Sequence, residues 1–545
     1  MTNLLAQLET APTPIDVPDV EWSLMWPLIV LSIGGVLLIT ITSLVPSTRG
    51  RGIPAGFTAA LSITALAFLP WMSSRVNDSL DGRFYIVDRA LVVDGFTIFV
   101  TAVICIALLL VSLILDDYLR REGLDGPEWY VLLLMSASGG ILLASAEDLI
   151  VAFVGLEILS IAVYVLAALH LRRSDSQEAG FKYFVLGALS SAIFLYGIAM
   201  VYGATGSTNL TDIALNINRF GVAGVSPAQN SSLILVGMAL LLVGFGFKVS
   251  AAPFQMWTPD VYEGAPTPVV AFMASAVKVA GFAGLVRVFV IGFGQMGGDW
   301  RPILAAMAVL TLLVGAFLAV VQTNIKRMLA YSSITHAGFM LIGVHAAGST
   351  SEATALLGGQ AVLFYMLAYS IMVIGTFGVV TVVGGRGDGD HAISSYRGLS
   401  RRSPVLAGCL ALLLFAQSGV PFTSGFLAKF RVIAAAAEGG NYLLAGVAMI
   451  AAVIGAYLYL RVVVAMFLES SEEPEEAIEG DKGIGGDGAE EEDTDAVSAP
   501  PIVVPPAVLV AVGLAVFATI ALGVAPDLVS GALRDGSGAL SLLRP

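Results

Sequence analysis

Two long apolar stretches of the chain each contain an interrupting proline with a lysine nearby. Lys248 lies five positions before Pro253 in LLLVGFGFKVSAAPFQMW, and Lys429 lies eight positions after Pro421 in LLLFAQSGVPFTSGFLAKF. A charged side chain at the centre of a membrane helix costs roughly 3 kcal/mol, and a proline there frees a backbone carbonyl. The pattern therefore indicates protonatable groups that are held inside a bilayer for use.

Three further ionisable residues lie in the middle of apolar stretches, namely Glu157, Lys278 and His336. A buried carboxylate needs a cationic partner or it becomes protonated, so we interpret Glu157 and Lys248 as a pair beside a line of lysines. Charge at one site then biases protonation of the next, which is a physical basis for moving protons. The alternative for Glu157, Lys248 and Lys429 is static ion pairing that only fixes helix packing. His336 could equally be a packing residue or a relay element that titrates near neutral pH.

The other ionisable residues near the apolar segments are predicted to be structural. Two arginines near helix ends are expected to extend their side chains to the membrane interface, and four acidic residues lie in tight turns. These residues are Arg287, Arg461, Asp260, Glu263, Glu147 and Asp148.

The composition is that of a membrane protein. Hydrophobic residues make up 57% and charged residues 12% of the chain, and its mean hydropathy is +0.87, whereas soluble domains are nearer half apolar and a quarter charged. Both cysteines, Cys105 and Cys409, lie in apolar spans, so no disulfide framework or cysteine-based metal site is indicated. The sequence contains no P-loop, no dinucleotide-binding glycine fingerprint and no HExxH motif.

Apolar segments of about 20 residues recur along the chain, and they predict an all-α polytopic protein with about fourteen transmembrane helices. Lysine and arginine are concentrated in the loops after odd-numbered spans, so we expect those loops in the cytoplasm and both termini outside. The predicted spans are 24–45, 54–72, 94–115, 129–146, 149–169, 181–203, 230–262, 267–291, 302–322, 328–346, 353–384, 404–437, 441–467 and 502–530.

The seventh and twelfth spans are too long for one straight crossing, and both carry the interrupting prolines. They lie five spans apart, which predicts two inverted five-helix repeats with discontinuous helices 7 and 12, a design that recurs in transporters. The acidic, glycine-rich stretch before the last helix is predicted to be a disordered cytoplasmic loop. The predicted divisions are an N-terminal three-helix region (1–128), the two repeats (129–291 and 302–467), the acidic loop (468–501) and the C-terminal helix (502–545).

Four stretches resemble subunit N of respiratory complex I, the proton-pumping NADH–quinone oxidoreductase, within the antiporter-like membrane subunit family. The resemblance covers spans four to thirteen well and spans one to three loosely. The related subunits L and M and the multisubunit sodium/proton antiporters typically carry a histidine–alanine pair where this chain has ASAVKVAG. The similar stretches are GLEILSIAVYVL, GFGFKVSAAPFQMWTPDVYEGAPTPVVAFMASAVKVAGF, NIKRMLAYSSITHAGFM and GVPFTSGFLAKF.

The resemblance implies residue roles. Glu157 matches the paired glutamate of the family and Lys248 its partner lysine, while Lys278 matches the connecting lysine and Lys429 the terminal lysine that exchanges protons with one side. Such subunits translocate protons when quinone reduction elsewhere in the complex drives conformational and electrostatic change. The acidic stretch departs from the family pattern.

The resemblance also implies partners and a location. The chain itself would bind no redox cofactor, whereas NADH, flavin, iron–sulfur clusters and quinone would be bound in partner subunits. The partners would be subunit M, small membrane subunits such as K and J, and the redox arm, in the inner or plasma membrane, with protons and lipid but no nucleic acid as ligands.

Two other functions compete with this hypothesis. The chain could belong to a multisubunit cation/proton antiporter, or it could be a non-conducting scaffold of the membrane arm. Co-purification with flavin and iron–sulfur subunits would distinguish a complex I subunit from an antiporter subunit. Proton pumping by Lys248→Ala complexes would distinguish a proton-conducting subunit from a scaffold.

Overall fold

The structure, a computed structural model, describes residues 20–44, 52–222, 227–468 and 502–541. This part of the chain is almost entirely helical, with one short β-hairpin. The prediction of a disordered acidic loop concerns residues that lie, except for Leu468, outside the described ranges.

The N-terminal region contains three long helices and the hairpin. The two strands are antiparallel, with Arg83 opposite Asp94, and the sequence analysis did not predict them. The Asp94 carboxylate accepts a hydrogen bond from the Thr97 backbone N–H (2.8 Å), which caps the third helix. The elements are α1 (Trp26–Leu44), α2 (Ile53–Asn77), β1 (Arg83–Ile86), β2 (Leu91–Asp94) and α3 (Gly95–Glu122).

The next group of helices corresponds to predicted spans four to eight. Its last helix contains two π-helical stretches, Met273–Val277 and Arg287–Gly292. The elements are α4 (Glu128–Ala144), α5 (Leu149–Ala168), α6 (Ser174–Thr205), α7 (Leu210–Val222), α8 (Pro227–Lys248), α9 (Trp257–Gly264) and α10 (Thr267–Gly292).

The remaining helices correspond to predicted spans nine to fourteen. They are α11 (Gly297–Val320), α12 (Ile325–Ala347), α13 (Glu352–Val383), α14 (Leu399–Arg402), α15 (Pro404–Ser418), α16 (Ser424–Glu438), α17 (Tyr442–Leu468), α18 (Pro506–Val524) and α19 (Ser530–Ser541).

The prediction of an all-α membrane protein is confirmed. A helix occupies each of the fourteen predicted spans, and ten helices in the described ranges are long and apolar enough to cross a membrane. Two of them, α10 and α13, are buried over their whole apolar windows and form the centre of the molecule. Charged groups on these two helices are therefore remote from the lipid-facing surface.

The seventh span is broken between α8 and α9, as its length and proline predict. The break leaves backbone groups without helical partners, and neighbouring side chains bond them. Thr311 of α11 accepts a hydrogen bond from the Ala252 N–H (2.8 Å), and the Trp257 indole N–H donates to the Phe247 carbonyl (3.0 Å). The break is thus a fixed part of the fold.

The twelfth span is broken between α15 and α16, again as predicted. Gly419 ends α15 with φ of 95°, a conformation that favours glycine. Gly425 approaches the carbonyl of Ala416 so closely that a Cβ would lie 1.9 Å from the oxygen. Thr423 caps α16 by accepting a hydrogen bond from the Phe426 N–H. Glycine, as well as proline, therefore shapes this break.

The two groups of helices repeat the same pattern of neighbours. In the first group α4 packs against α5, α5 against α6, α6 against α8, and α10 returns to α4. In the second group α11 packs against α12, α12 against α13, α13 against α16, and α17 returns to α11. The two broken helices differ in which half makes the closest packing. In the first group α8, the first half of the seventh span, packs most closely against α6. In the second group α16, the second half of the twelfth span, packs most closely against α13.

Candidate functional site: a line of buried amines

Lys248 is the last residue of α8 and lies directly before the break of the seventh span. It is 3% exposed. Its Nζ donates a hydrogen bond to the Ser160 hydroxyl of α5 (2.8 Å) and lies 5.9 and 5.8 Å from the ring centres of Tyr164 and Tyr183. The ammonium form is therefore held by a helix C-terminus, one hydroxyl and two aromatic faces.

Glu157 lies on the same face of α5 as Ser160, three residues away. Its carboxylate accepts a short hydrogen bond from the Ser191 hydroxyl of α6. Both Glu157 and Lys248 are described, and the two do not form a salt bridge. The two charged groups are hydrogen-bonded to the Ser191 and Ser160 hydroxyls and not to each other, and the functional role of the pair stays a prediction.

Lys278 lies in the middle of α10, immediately after the π-helical stretch Met273–Val277. Its Nζ donates to the Ser333 carbonyl of α12 (2.8 Å) and to the Ser333 hydroxyl, and it lies 5.9 Å from the Tyr369 ring centre. One turn further along α10, a Cβ on Gly281 would lie 3.2 Å from Cγ of Lys248. The stem of Lys248 therefore packs against the helix that carries Lys278.

His336 lies on α12 and is 2% exposed. Its Nδ1 is 2.7 Å from the Tyr365 hydroxyl of α13, and its Nε2 is 3.2 Å from the Tyr459 hydroxyl of α17. The Tyr459 hydroxyl also forms a short hydrogen bond with the Ser332 hydroxyl. His336 is thus bonded at both ring nitrogens, which fits a satisfied packing histidine and a relay element equally.

Lys429 lies on α16, yet its side chain reaches back across the break of the twelfth span. Its Nζ donates to the Ser418 carbonyl (2.9 Å), the last residue of α15, and lies 5.3 Å from the Phe339 ring centre. The charges of both Lys278 and Lys429 act on His336. His336 therefore lies within electrostatic range of both Lys278 and Lys429.

The hydroxyl groups around the amines are the residues that sequence reasoning missed. Ser160, Ser191, Ser333, Tyr365 and Tyr459 each contact a predicted site residue. A signal was available for some of them, because serines on α5 and α12 lie within one turn of Glu157 and His336. The tyrosines come from distant helices, and nothing in local spacing identifies them.

The prediction that Arg287 extends to the membrane interface is wrong. It is 1% exposed and pairs with Asp94 through two hydrogen bonds of 2.9 Å. It also donates to the Thr97 hydroxyl (2.8 Å) and the Ala144 carbonyl (2.8 Å). This bidentate pair joins the start of α3 to the end of α10 and is a fixed structural contact. Arg461, by contrast, donates to backbone carbonyls near helix ends, as its position predicts.

Asp388, in the loop after α13, is a second site that the sequence analysis did not identify. Its carboxylate bonds Arg173 (3.0 Å), Lys326 (3.5 Å), the Thr267 hydroxyl (2.6 Å) at the start of α10, and His391 (3.1 Å). Burial alone would raise the pKa of Asp388, but the Lys326 charge and the His391 and Thr267 hydrogen bonds hold that pKa well below 3.8. Asp388 is therefore a fixed anion that ties the second group of helices to the first.

Asp260 and Glu263, which were predicted to lie in a tight turn, lie instead within α9 and beside this cluster. Arg327 bonds Asp260 (2.8 Å) and Glu263 (2.8 Å), and Lys182 bonds Asp260 (3.2 Å). They line an open cavity of about 440 Å³ together with Asp388. Glu147 and Asp148 likewise form local contacts, since they accept hydrogen bonds from Thr211 (2.6 Å) and Thr208 (2.6 Å). Within the described residues, no three His, Cys, Asp or Glu side chains are grouped so that they could hold a metal ion.

Comparisons with known proteins agree with this arrangement. Residues 146–455 match the family described as NADH:quinone oxidoreductase/Mrp antiporter, TM. NADH-quinone oxidoreductase subunit N of Trichlorobacter lovleyi is 39% identical over 454 residues, which are 83% of this chain and 89% of that protein. A chain of respiratory complex I from Thermus thermophilus with bound aureothin superposes with a TM-score of 0.72 at 32% sequence identity. The superposition covers 93% of the present chain and 99% of the Thermus chain.

A chain of the Mrp complex from Dietzia sp. DQ12-45-1b has a TM-score of 0.78 at 21% identity, with coverages of 96% and 98%, and so shares the fold. The family match spans both broken helices and all five predicted site residues. The chain therefore belongs to the subunit N family of NADH-quinone oxidoreductase, within the wider NADH:quinone oxidoreductase/Mrp antiporter family.

Proposed function

We propose that this chain is a membrane subunit of NADH–quinone oxidoreductase that translocates protons through Glu157, Lys248, Lys278, His336 and Lys429. Translocation is coupled to quinone reduction elsewhere in the complex. The subunit takes part in an enzyme complex as a non-redox translocase, and the flavin, iron–sulfur clusters, NADH and quinone are bound by partner subunits. Glu157 acts at a distance from Lys248, through its charge and the intervening serine hydroxyls.

The observation that carries this proposal is a contrast between two kinds of buried cation. Arg287 and Lys326 each contact a buried carboxylate, Asp94 and Asp388 respectively. In the part of the chain that the structure describes, Lys248, Lys278 and Lys429 have no carboxylate at salt-bridge distance, and each donates to hydroxyl or carbonyl oxygens.

This contrast argues against a scaffold. A buried charge without a counter-ion is costly, and desolvation disfavours the charged form of any buried group. Amines in such positions exchange protons when a nearby charge changes, whereas a paired cation keeps its proton. A scaffold would be expected to use paired cations throughout, like Arg287.

We place the complex in the inner or plasma membrane, with both termini outside the cytoplasm and with subunits M, K and J and the redox arm as partners. We also propose that residues 129–291 and 302–467 form two inverted repeats. The repeated neighbour pattern supports the division, and five helices per repeat require opposite orientations. A superposition that fails after a two-fold rotation in the membrane plane would refute this.

The test uses the assembled complex in inverted membrane vesicles. Lys248→Ala should sharply lower proton pumping and coupled quinone reduction while the complex still assembles. Lys182→Ala is the matched control, because that lysine is 43% exposed and pairs with Glu178 and Asp260 at the surface. Normal pumping by an assembled Lys248→Ala complex would favour the scaffold.

The antiporter fold leaves a second function to test, since the Mrp chain shares it. A cation/proton antiporter subunit would exchange sodium for protons in vesicles without NADH, and it would not co-purify with flavin and iron–sulfur subunits. Both results together would replace the first proposal.

A further inference from the structure

The two ring nitrogens of His336 are bonded by tyrosine hydroxyls from opposite sides. Tyr365 belongs to α13 and Tyr459 to α17, and all three side chains are buried to within 3%. A neutral imidazole has one donor and one acceptor nitrogen. Of the two tyrosines, therefore, one must donate to the ring and the other must accept from it, and the tautomer decides which.

We propose that Tyr459, His336 and Tyr365 form a proton-transfer unit between Lys278 and Lys429, in which both tyrosine hydroxyls carry the proton. This inference rests on the proposed function and deepens it. It assigns a role to two tyrosines that lie far from the other relay residues in the sequence.

The transfer conserves every proton. In the starting tautomer Nδ1–H donates to the Tyr365 oxygen, and Nε2 accepts the Tyr459 hydroxyl proton. A proton that reaches the Tyr459 oxygen displaces the hydroxyl proton to Nε2, the ring passes its Nδ1 proton to the Tyr365 oxygen, and Tyr365 releases its own hydroxyl proton onward. One proton enters, one leaves, and the unit returns to its start when the hydroxyls and the tautomer reverse.

The unit has a lysine site at each end. On one side, Tyr459 bonds the Ser332 hydroxyl, and the next residue, Ser333, accepts from Lys278. The Tyr459 hydroxyl and the Lys278 amine thus contact consecutive residues of α12.

On the other side, the Tyr365 ring stacks on Phe339 with ring centres 5.9 Å apart, and the Lys429 amine lies 5.3 Å from the same Phe339 ring. Phe339 therefore contacts both the ring of Tyr365 and the Lys429 amine. Among the described residues the Tyr365 hydroxyl is bonded to His336 and not to Lys429, so the last transfer requires movement of a side chain or entry of water.

A packing role predicts different behaviour from a transfer role. Phenylalanine keeps the ring of either tyrosine and removes only the oxygen that bonds His336. If the tyrosines only fill space, their Phe variants retain pumping. If the hydroxyls carry the proton, pumping fails although the complex is assembled.

The test measures the rate of NADH-driven proton pumping, in vesicles with equal amounts of assembled complex. We expect Tyr459→Phe and Tyr365→Phe each to lower the pumping rate by about 100-fold, since positioned proton-transfer groups contribute roughly 10²–10⁴-fold. Tyr457→Phe, on the same helix but 60% exposed, should pump normally. Normal pumping by both buried variants, with Lys278→Ala still defective, would overturn the inference and leave the proposed function standing.

Normal pumping by Lys278→Ala as well would refute the proposed function and the inference together. A second measurement covers the case in which the Phe variants do not assemble. Fluorotyrosine at position 459 keeps the ring and its oxygen but makes the hydroxyl more acidic. A change in pumping rate and in its solvent isotope effect supports transfer, whereas an unchanged rate and isotope effect would overturn it.

Discussion

The Arg287–Asp94 pair gives a prediction whose size follows from its burial. Arg287→Met removes the guanidinium and leaves Asp94, 1% exposed, as a buried carboxylate whose remaining hydrogen bonds come from Thr97. Removing one partner of a buried ion pair costs about 3–5 kcal/mol. The Thr97 hydroxyl and the Ala144 carbonyl lose their donors too, which places the loss in the upper half of that range.

We therefore expect the free energy of unfolding to fall by about 4 kcal/mol, which changes the folded-to-unfolded ratio by roughly a thousandfold. Combining Arg287→Met with Asp94→Asn should recover most of the loss, because asparagine carries no charge and still caps a helix. The recovery expresses the coupling of the pair in a double-mutant cycle.

The assay is an SDS titration of the purified chain in mixed micelles, with helicity followed by circular dichroism. Arg461→Met is the matched control, since its guanidinium donates to the carbonyls of Val320 and Gln322 and leaves no buried carboxylate behind. Equal losses for Arg287→Met and Arg461→Met, or no recovery in the double variant, would refute the reasoning.

Two further predictions concern the lysine line and the loop after α13. Gly281→Ala places a methyl group 3.2 Å from both the Lys248 stem and Cγ1 of Val249. Overpacking costs about 1–3 kcal/mol and shifts the end of α8 that carries Lys248, so pumping should fall severalfold while assembly persists. Gly203→Ala, which has open space, is the control, and equal pumping by the two variants would contradict the prediction. Burial lowers the pKa of His391 below 6.5 although the Asp388 hydrogen bond opposes this. The neutral form is therefore the stabilising one, and its contribution is present above pH 6.5 and is lost as the pH falls through the folded pKa. Hydrogen exchange of the loop between about pH 7.5 and 5.5 should show this acid loss in the native chain and not in His391→Gln; identical profiles would be evidence against it.

The sequence predicts the breaks of the seventh and twelfth spans because proline acts locally. Pro253 and Pro421 lie at the observed interruptions. Each proline also lies in an apolar stretch that is too long for one straight crossing, and this length by itself predicts a break. The contacts of Glu157 and Lys248 could not be predicted, for the opposite reason. Whether two buried groups touch depends on side chains from a third helix, here Ser191 of α6, and periodicity along one helix carries no information about that contact.

Long-range contacts account for the other misses. Asp94 and Arg287 are 193 residues apart, and Asp388 reaches Thr267 across 121 residues. Each of these acids lies in or beside a short connecting segment, where composition predicts a solvated charge. Folding instead buries Asp94 against Arg287 of α10, and it buries Asp388 against cations near the start of α10. No local sequence pattern marks either acid.

Lys248 precedes its proline in the sequence, whereas Lys429 follows its own. In the structure, both amines lie at the C-terminal end of the first half of a broken helix. Lys248 is the last residue of α8, and Lys429 returns to the carbonyl of Ser418, the last residue of α15.

A helix C-terminus stabilises a cation by about 0.3–1 kcal/mol, and by up to about 2 kcal/mol in partly buried positions, which offsets only part of the cost of burying an unpaired ammonium group. The charged and neutral forms are then closer in free energy than they are for Arg287, whose carboxylate partner fixes the charge. A group whose charged and neutral forms differ little in free energy gains or loses a proton when a distant charge changes. Each residue of a proton relay needs this property.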